Sequence, residues 1–362
     1  MKYLIFLGHP AHYHLFKNLN ADLLKKGHQT KVIIRSKDIL EDLCSGSGME
    51  YQNVLPTYRK NNIISFGLSF LKKYEEISIV IRSFRPGLLL GSEPTLAHLG
   101  KIFNIPSFIF SEDDASIIPQ FVKITYPFVD YIISPASCNA GKWEYKKIGY
   151  NGFQKFSYLH PSVFTPDRKY LGTDGNSAYF ILRLAALSAY HDKNKTGINK
   201  SVAKHLIGIL APYGKIYITS ERTLDPEFEK FRLHADPELI HHYMAFAKLY
   251  IGDSQSMAVE AALLGTPGIR FNDFAGKIGV LNELENKYSL THGLHTRETE
   301  KLYLLTESLL SDPCLEKKYH ERRLKLLNEK INVPAFFLWF FENFPESASV
   351  MRKDPDYQYN FK

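Results

Sequence analysis

The sequence predicts an α/β protein made of two halves, each with a parallel sheet covered by helices. Short apolar runs of strand length alternate with segments of helical periodicity along most of the 362-residue chain, a pattern typical of parallel sheets with helices on both faces. The alternation breaks in Ser157–Asn176, which is rich in Pro, Gly, Asp and Ser, and then starts again. This break predicts an interdomain linker.

The first predicted domain covers residues 1–157. Each predicted strand is a short apolar run, and the longer helices have apolar residues three or four positions apart. The predicted strands are Tyr3–Leu7, Lys31–Arg35, a run near Tyr51, Gly87–Leu90, Pro106–Phe110 and Asp130–Ile133, which closes the set. The predicted helices are His12–Lys26, a weak one near Ile39, Ile63–Phe84 and Thr95–Phe103.

The second predicted domain covers residues 177–332 and repeats the alternation. Its predicted strands are Tyr179–Leu182, Lys215–Thr219, Lys248–Ile251 and a run that leads to Arg270. Its predicted helices are Asn199–Leu210, Pro237–Phe246, one that ends near Gly265, Ile278–Asn286, Thr296–Leu310 and Leu315–Lys330. The aromatic tail, residues 333–362, predicts a helix that crosses back to the first domain; a membrane-touching surface is the alternative.

Bulk composition favours small phosphorylated ligands. The formal net charge is +7 and the pI is about 9.0, a balance that attracts phosphates, anionic lipid or nucleic acid. No nucleic-acid motif accompanies that charge, so we expect no nucleic-acid partner. Three widely spaced cysteines form neither a zinc pattern nor a disulfide framework, which fits a reducing cytoplasm. The apolar run at the N-terminus is too short for a signal peptide.

The segment Tyr250–Arg270 has the most informative pattern, which reads as strand, tight turn, helix, turn and strand. Asp253 and Ser254 are residue types preferred just before a helix. The unpaired N–H groups of a helix start, together with the helix dipole, favour an anion such as a diphosphate. Glu260, about two turns along the helix, can accept bonds from ribose hydroxyls. The pattern predicts a nucleotide site, with an ordinary capped αβ unit as the alternative.

Ligands bind beyond the carboxyl ends of strands in open parallel sheets, so the residues after each strand are candidates. Three histidines follow the first strand within Gly8–His14. His12 and His14 are candidate bases, because imidazole transfers protons near neutral pH; structural contacts and a metal site are the alternatives. Glu93 and Glu112 follow two other strands and are candidate acids, bases or hydroxyl acceptors, with helix capping as the alternative for Glu93.

Three further candidates lie in the second domain. Arg183 ends a strand, and its forked guanidinium can hold a diphosphate; a salt bridge is the alternative. His191 lies in the following loop, and Ser220 ends another strand. We expect all three to contact a nucleotide-sugar.

Two such domains, with the nucleotide motif in the second, resemble the GT-B architecture, in which two Rossmann-like domains face each other across a cleft. That group includes nucleotide-sugar glycosyltransferases and the non-hydrolysing UDP-GlcNAc 2-epimerases. The epimerases carry Asp-Ser-Gly-Gly-x-x-Glu-Glu-Ala before a Gly-x-Pro. Asp253, Ser254 and Glu260 match it, whereas Gln255 and Ser256 replace the two glycines. This resemblance implies that these residues bind the nucleotide-sugar.

Other segments resemble parts of the same group. Glu93 and Glu112 are analogues of epimerase acids, but the His-Arg-x-Glu-Asn motif of those enzymes is represented only by Arg183. Inverting GT-B transferases place Gly-His-x-Phe-Pro after the first strand, and the similar segment His14-Leu15-Phe16 implies that His14 is the base. Retaining enzymes often have a glutamate eight positions before the ribose-binding one, where this chain has Gly252.

The chain as a whole resembles domain-of-unknown-function family 354, a GT-B-like family of bacteria and archaea without a settled activity. The matching stretches span most of the chain: Pro10–Lys17, Tyr158–Pro161, Arg183 with His191 and Asp192, Met257–Ala262 and Gly265–Pro267. This resemblance implies the GT-B fold.

Together these observations predict an inverting glycosyltransferase that uses a UDP-sugar donor in cell-surface polysaccharide synthesis, with a saccharide or lipid-linked saccharide as acceptor and no cofactor or metal. The alternatives are a UDP-GlcNAc 2-epimerase or UDP-sugar hydrolase, in which Glu93 and Glu112 move protons, and a non-catalytic nucleotide-sugar-binding protein. We expect a cytoplasmic protein, and a peripheral contact with the inner face of the membrane is a further expectation.

Overall fold

The computed structural model describes residues 1–55, 63–185 and 197–362, with the backbone alone for 63–70 and 173–176. The chain forms two compact units. Unit 1 comprises Met1–Val163 and Ile331–Lys362, and unit 2 comprises Phe164–Lys330. The first boundary lies inside the segment predicted as a linker. The C-terminal segment belongs to unit 1, the unit toward which the tail was predicted to cross back.

Unit 1 contains a seven-stranded parallel sheet in its described residues. The strands are β1 (Lys2–Leu7), β2 (Gln29–Arg35), β3 (Tyr51–Leu55), β4 (Leu88–Gly91), β5 (Ser107–Phe110), β6 (Tyr131–Pro135) and β7 (Lys147–Tyr150). Their spatial order is β3-β2-β1-β4-β5-β6-β7. The order reverses between β1 and β4, and ligands of open α/β sheets bind beyond the strand ends at such a switch point.

Helices cover this sheet because their apolar faces need a surface to bury against. They are α1 (Pro10–Lys25), α2 (Leu40–Gly46), α3 (Ile63–Phe84), α4 (Pro94–Phe103), α5 (Pro119–Thr125) and α6 (Phe156–Leu159). One core joins Leu4 and Leu89 of the sheet to Ile77 of α3 and Leu96 of α4. Phe16 of α1 packs elsewhere, edge-on against another sheet residue, Phe110.

Unit 2 contains a five-stranded parallel sheet among its described residues. The strands are β8 (Tyr179–Leu184), β9 (Lys215–Ser220), β10 (Leu249–Gly252), β11 (Gly268–Phe271) and β12 (His292–Leu294), in the spatial order β12-β11-β10-β8-β9. The helices are α7 (Lys200–Leu210), α8 (Ile240–Phe246), α9 (Gln255–Leu264), α10 (Gly279–Asn286), α11 (Thr299–Leu310) and α12 (Leu315–Glu329). The predicted fold class, an α/β protein with two Rossmann-like domains, is therefore confirmed.

The tail forms α13 (Val333–Glu342), α14 (Glu346–Lys353) and a 3₁₀ segment, Pro355–Phe361. Its aromatic side chains bury against unit 1: Phe337 packs against Phe110 and Tyr150, and Phe341 packs against Phe108. No helix among the described residues is long and apolar enough to cross a membrane.

The structure adds two strands and three helices to the element predictions. Strand β7 follows the strand Asp130–Ile133 that was predicted to close the sheet, and β12, α5, α6 and α14 were not predicted. The two strands are short, contain glycine and carry Lys or His, so they lack the β-branched, apolar composition that marks a strand. Neighbouring strands, which the local sequence does not show, supply their hydrogen bonds.

Candidate functional site

The start of α9 is built as the sequence predicts for an anion site. Ser254 is the N-cap, with an extended backbone, and its Oγ accepts a hydrogen bond from the Met257 N–H at 3.4 Å. The first helical amides, those of Gln255 and Ser256, find no acceptor within the helix. This helix start lies directly beyond the carboxyl end of β10, next to the reversal of strand order between β10 and β8. Gly265, with φ +83°, ends the helix.

Asp253 is turned away from this helix start. The residue is fully buried, and its Oδ1 and Oδ2 accept the N–H groups of Ala185 (2.6 Å) and Ile198 (3.1 Å). Burial raises the pKa of Asp253 to about 6. Gly197 is required beside it, because a Cβ there would lie 2.5 Å from the carboxylate. The predicted ligand contact of Asp253 is therefore corrected: both oxygens hold backbone instead.

Side chains that the sequence analysis missed hold the backbone at the start of α9 in place. The Tyr250 hydroxyl donates to the Ser254 carbonyl at 3.4 Å, and the Asn272 side-chain amide donates to the Asp253 carbonyl at 2.9 Å. Asn272 in turn accepts from Arg270, which is fully buried and paired with Glu285 at 2.9 Å. The sequence contains two signals that could have revealed this network: a charged residue, Arg270, inside an apolar strand, and Asn272 just after that strand.

Glu260 lies one helical turn beyond Ser256, so the two residues share one face of α9. It is only 8% exposed, and its Oε1 lies 3.6 Å from His241 Nε2. The carboxylate is thus held near the helix surface by a neighbour on α8. Its ribose-binding role stays a prediction.

The other predicted residues of unit 2 have different surroundings. Arg183 is in register with Gly252, and its guanidinium pairs with Glu221, while its Nε lacks a partner among the described residues. The Ser220 hydroxyl donates to the Arg222 carbonyl at 2.7 Å and accepts the Arg222 N–H at 3.1 Å. Ser220 therefore shapes its own turn, and its predicted ligand contact stays a prediction. His191 lies outside the described residues.

The three histidines after β1 have three separate positions. The His9 ring caps α1 by accepting the Ala11 N–H. His12 Nδ1 accepts the Gly8 N–H at 3.1 Å, and burial, together with the nearby His9 and Arg35, lowers the pKa of His12 to about 3. In the neutral ring the remaining nitrogen carries the proton, so His12 is a donor. This arrangement disfavours His12 as a base, and its predicted role stays untested.

His14 lies two residues, about half a helical turn, further along α1, so its side chain has different surroundings. It is 9% exposed, and its ring centroid lies 5.2 Å from that of Tyr158 on α6. The role of His14 as base stays a prediction. Among the described residues no group of His, Cys, Asp or Glu side chains is arranged to hold a metal ion.

Each candidate acid of unit 1 is paired with a buried lysine. Glu93, just beyond β4, lies 2.5 Å from Lys73 Nζ and accepts from the Thr95 hydroxyl at 3.2 Å. It occupies the N-cap position of α4 without a side-chain capping bond, so capping does not explain it. Glu112, just beyond β5, pairs through Oε1 with Lys155, whose side chain is 4% exposed.

Solved structures of nucleotide-sugar enzymes share this fold. S. aureus MnaA in complex with UDP matches with a TM-score of 0.65 at 14% identity, covering 94% of this chain and 97% of that chain. UDP-GlcNAc 2-epimerase from Neisseria meningitidis, bound to UDP-GlcNAc, matches with a TM-score of 0.58 at 14% identity, covering 90% and 100%. The spinosyn rhamnosyltransferase SpnG with spinosyn aglycone matches with a TM-score of 0.61 at 13% identity, covering 95% of this chain and 100% of that chain.

These similarities place the chain in the GT-B fold of nucleotide-sugar glycosyltransferases and UDP-GlcNAc 2-epimerases. No protein-family model matches the chain, and no curated protein matches it either. Membership of domain-of-unknown-function family 354 therefore stays a prediction.

Proposed function

We propose that this protein is an inverting GT-B glycosyltransferase that uses a UDP-sugar in cell-surface polysaccharide synthesis. The start of α9 is the observation that carries the proposal. The first amides of the helix, at Gln255 and Ser256, have no acceptor within the helix and suit a diphosphate, and Glu260, on the same helix face as Ser256, suits a ribose. Both features lie beyond the carboxyl end of β10, where open α/β sheets bind ligands. UDP and UDP-GlcNAc bound in structures of the same fold support the nucleotide class.

The leaving UDP needs its developing negative charge stabilised. The α9 amides and helix dipole supply fixed dipoles for this purpose. Arg183, at the end of β8 beside Gly252, adds a guanidinium whose Nε lacks a partner among the described residues. In the proposed enzyme these groups would stabilise the charge of the leaving diphosphate.

In an inverting transfer, the acceptor hydroxyl attacks the anomeric carbon opposite the departing UDP, and a base takes the hydroxyl proton. We assign this role to His14. Of the two candidate histidines, His12 already uses its unprotonated nitrogen to accept the Gly8 N–H. His14 lies at the packed junction of α1 and α6, next to Tyr158.

A UDP-GlcNAc 2-epimerase or UDP-sugar hydrolase is the second candidate. It is favoured by the two acids, Glu93 and Glu112, beyond the adjacent strands β4 and β5. Each acid is held by a buried lysine, and this pairing opposes the free exchange of protons that epimerisation at carbon 2 requires. For this reason we place the transferase first.

Incubation with UDP-GlcNAc alone, followed by proton NMR, separates the candidates. A transferase leaves the donor largely intact until a saccharide acceptor is added. An epimerase or hydrolase produces ManNAc, its UDP derivative or free UDP without an acceptor. Binding of UDP with no turnover under either condition would indicate a non-catalytic binding protein.

Substitution of Glu260 by Gln tests the nucleotide site by calorimetry. Loss of a charged acceptor for two hydroxyls should weaken UDP binding about 10- to 100-fold. Glu307→Gln, an exposed position on α11 of the same unit, is the control and should bind UDP like the unmodified protein. Unchanged affinity in Glu260→Gln would refute the ribose role.

A further inference from the structure

Glu260, the acid to which the ribose role is assigned, has a close neighbour on the preceding helix. His241 Nε2 of α8 lies 3.6 Å from Glu260 Oε1. The Glu260 side chain keeps 11% of its surface accessible, whereas the His241 side chain keeps 4%. The carboxylate can therefore still contact a ligand, and the imidazole is placed to act through the carboxylate rather than to touch a ligand itself.

Contacts with other parts of unit 2 fix α8, and with it the ring of His241. The Thr266 hydroxyl, just after the end of α9, donates to the Met244 carbonyl at 2.6 Å. Met244 and His241 are both buried and lie three positions apart on α8, so they share one helix face. The Phe164 ring packs nearly perpendicular to the His241 ring, with centroids 6.1 Å apart. The imidazole is therefore held beside the carboxylate by packing within unit 2.

The chemistry of the pair suits a shared acceptor. A largely buried carboxylate needs hydrogen-bond donors or a positive charge, because the loss of its hydration is costly. An imidazole supplies a donor when Nε2 carries the proton, and a positive charge as well when both nitrogens are protonated. An ionised carboxylate has two oxygens with about four lone-pair sites. A neighbour at Oε1 of Glu260 therefore leaves acceptor sites for both hydroxyls of a ribose.

We propose that His241 is a positioning residue of the nucleotide site: it holds the Glu260 carboxylate in the orientation in which both ribose hydroxyls can donate to it. This role rests on the proposed function, because it requires the ribose of UDP to bind at Glu260. His241 thereby determines selectivity for a ribose over a sugar that lacks the two hydroxyls. Substitution of His241 should reduce this selectivity, whereas the diphosphate contacts at the start of α9 should stay in place.

The test compares UDP with 2′,3′-dideoxyuridine diphosphate, which keeps the base and the diphosphate and lacks both ribose hydroxyls. Calorimetry with the full chain gives the two dissociation constants, and their ratio measures ribose recognition. We expect the wild type to bind UDP about 10- to 100-fold more tightly than the dideoxy compound. His241→Asn, whose amide is too short to reach Glu260, should lower this ratio about fivefold or more. His241→Gln, whose amide nitrogen can take the place of Nε2, should keep it.

His242→Asn is the matched control, because His242 is the next residue of α8 and its Nδ1 accepts the Asp167 N–H at 3.0 Å. This variant should keep the wild-type ratio. The role of His241 is overturned if His241→Asn keeps the wild-type ratio, if His241→Gln loses as much as His241→Asn, or if His242→Asn loses it equally. The proposed function fails in a different way: a wild type that binds no UDP, or binds both ligands equally, refutes the ribose site itself, and the role of His241 falls with it.

Discussion

At the scale of single residues, the Asp253 carboxylate fixes two separate stretches of backbone. Its two oxygens accept the N–H groups of Ala185 and Ile198, and its own carbonyl accepts from Asn272. An amide side chain cannot replace it, because one of the two polar ends of Asn or Gln is a donor. The residue that precedes the anion site is therefore a structural anchor that gives Ser254 and α9 a fixed position.

This anchor predicts a pH effect on stability. Burial raises the pKa of Asp253 from 3.8 to about 6, so between pH 4 and 6 the folded protein holds a proton that the unfolded chain has released. The contribution of Asp253 to the unfolding free energy should fall across that window, by about 3 kcal/mol at most, and stay level above it. Unfolding free energies of the wild type and Asp253→Asn, measured from pH 4 to 7, provide the check.

The quantity to compare is the difference between the two proteins at each pH. His12 acts in the opposite direction, because its lowered pKa makes the unfolding free energy rise with pH up to about 6.5. Both proteins contain His12, so its contribution cancels in the difference. Parallel curves for wild type and variant would show that Asp253 titrates as in the unfolded chain.

Gly197 predicts a second residue-scale effect. A Cβ at this position would lie 2.5 Å from Asp253 Oδ2, so Gly197→Ala should separate the carboxylate from the Ile198 amide and cost about 1–3 kcal/mol of unfolding free energy. Gly208→Ala is the control: Gly208 lies inside α7 with open space around it, and alanine should stabilise the helix by about 0.5–1 kcal/mol. Equal effects of the two substitutions on the unfolding free energy, measured in denaturant melts, would contradict the structural role assigned to Asp253.

At the scale of elements, two helices of unit 2 have similar caps and different surroundings. Ser254 caps α9 by accepting from Met257, and Asn199 caps α7 by accepting from Val202. Alanine at either position should cost about 1 kcal/mol of stability. Only Ser254→Ala should also weaken UDP binding, severalfold, because only α9 starts at the proposed diphosphate site. Calorimetry that finds UDP affinity lowered in both variants, or in neither, would contradict this assignment.

Sequence pattern predicts elements well where the pattern is strong. Helix α3 has the predicted bounds, and the strand–turn–helix at α9 was predicted from residue types alone. The structural role of the Asp253 side chain could not be predicted. Asp253 and Ser254 are equally good N-cap residue types, and only tertiary contacts decide which of them caps α9. The same holds for Glu93 and Glu112: their positions beyond strands follow from pattern, whereas Lys73 and Lys155 come from distant parts of the chain.

At the scale of the whole molecule, the two units differ in how many segments of the chain build them. Unit 2 is one uninterrupted segment, whereas unit 1 needs Ile331–Lys362 to complete it. Phe337 and Phe341 of α13 cover Phe108, Phe110 and Tyr150 of the unit 1 sheet. The unit that carries the proposed catalytic histidine is therefore completed only when the last residues of the chain are in place.

This asymmetry predicts that residues 164–330 fold on their own and bind UDP. The anchor, the α9 start, Arg183 and Glu260 all belong to this segment, so the fragment should keep UDP affinity within about threefold of the full chain, a change below 1 kcal/mol. A fragment of residues 1–330 should instead lose the cooperative unfolding of unit 1. Without the tail, Phe108 and Phe110 become exposed, and the free energy gained by burying several aromatic side chains is lost. Calorimetry of the fragment, with its Glu260→Gln form as control, checks this. A folded fragment without UDP affinity, beside a full chain that binds UDP, would mean that unit 1 supplies part of the nucleotide site.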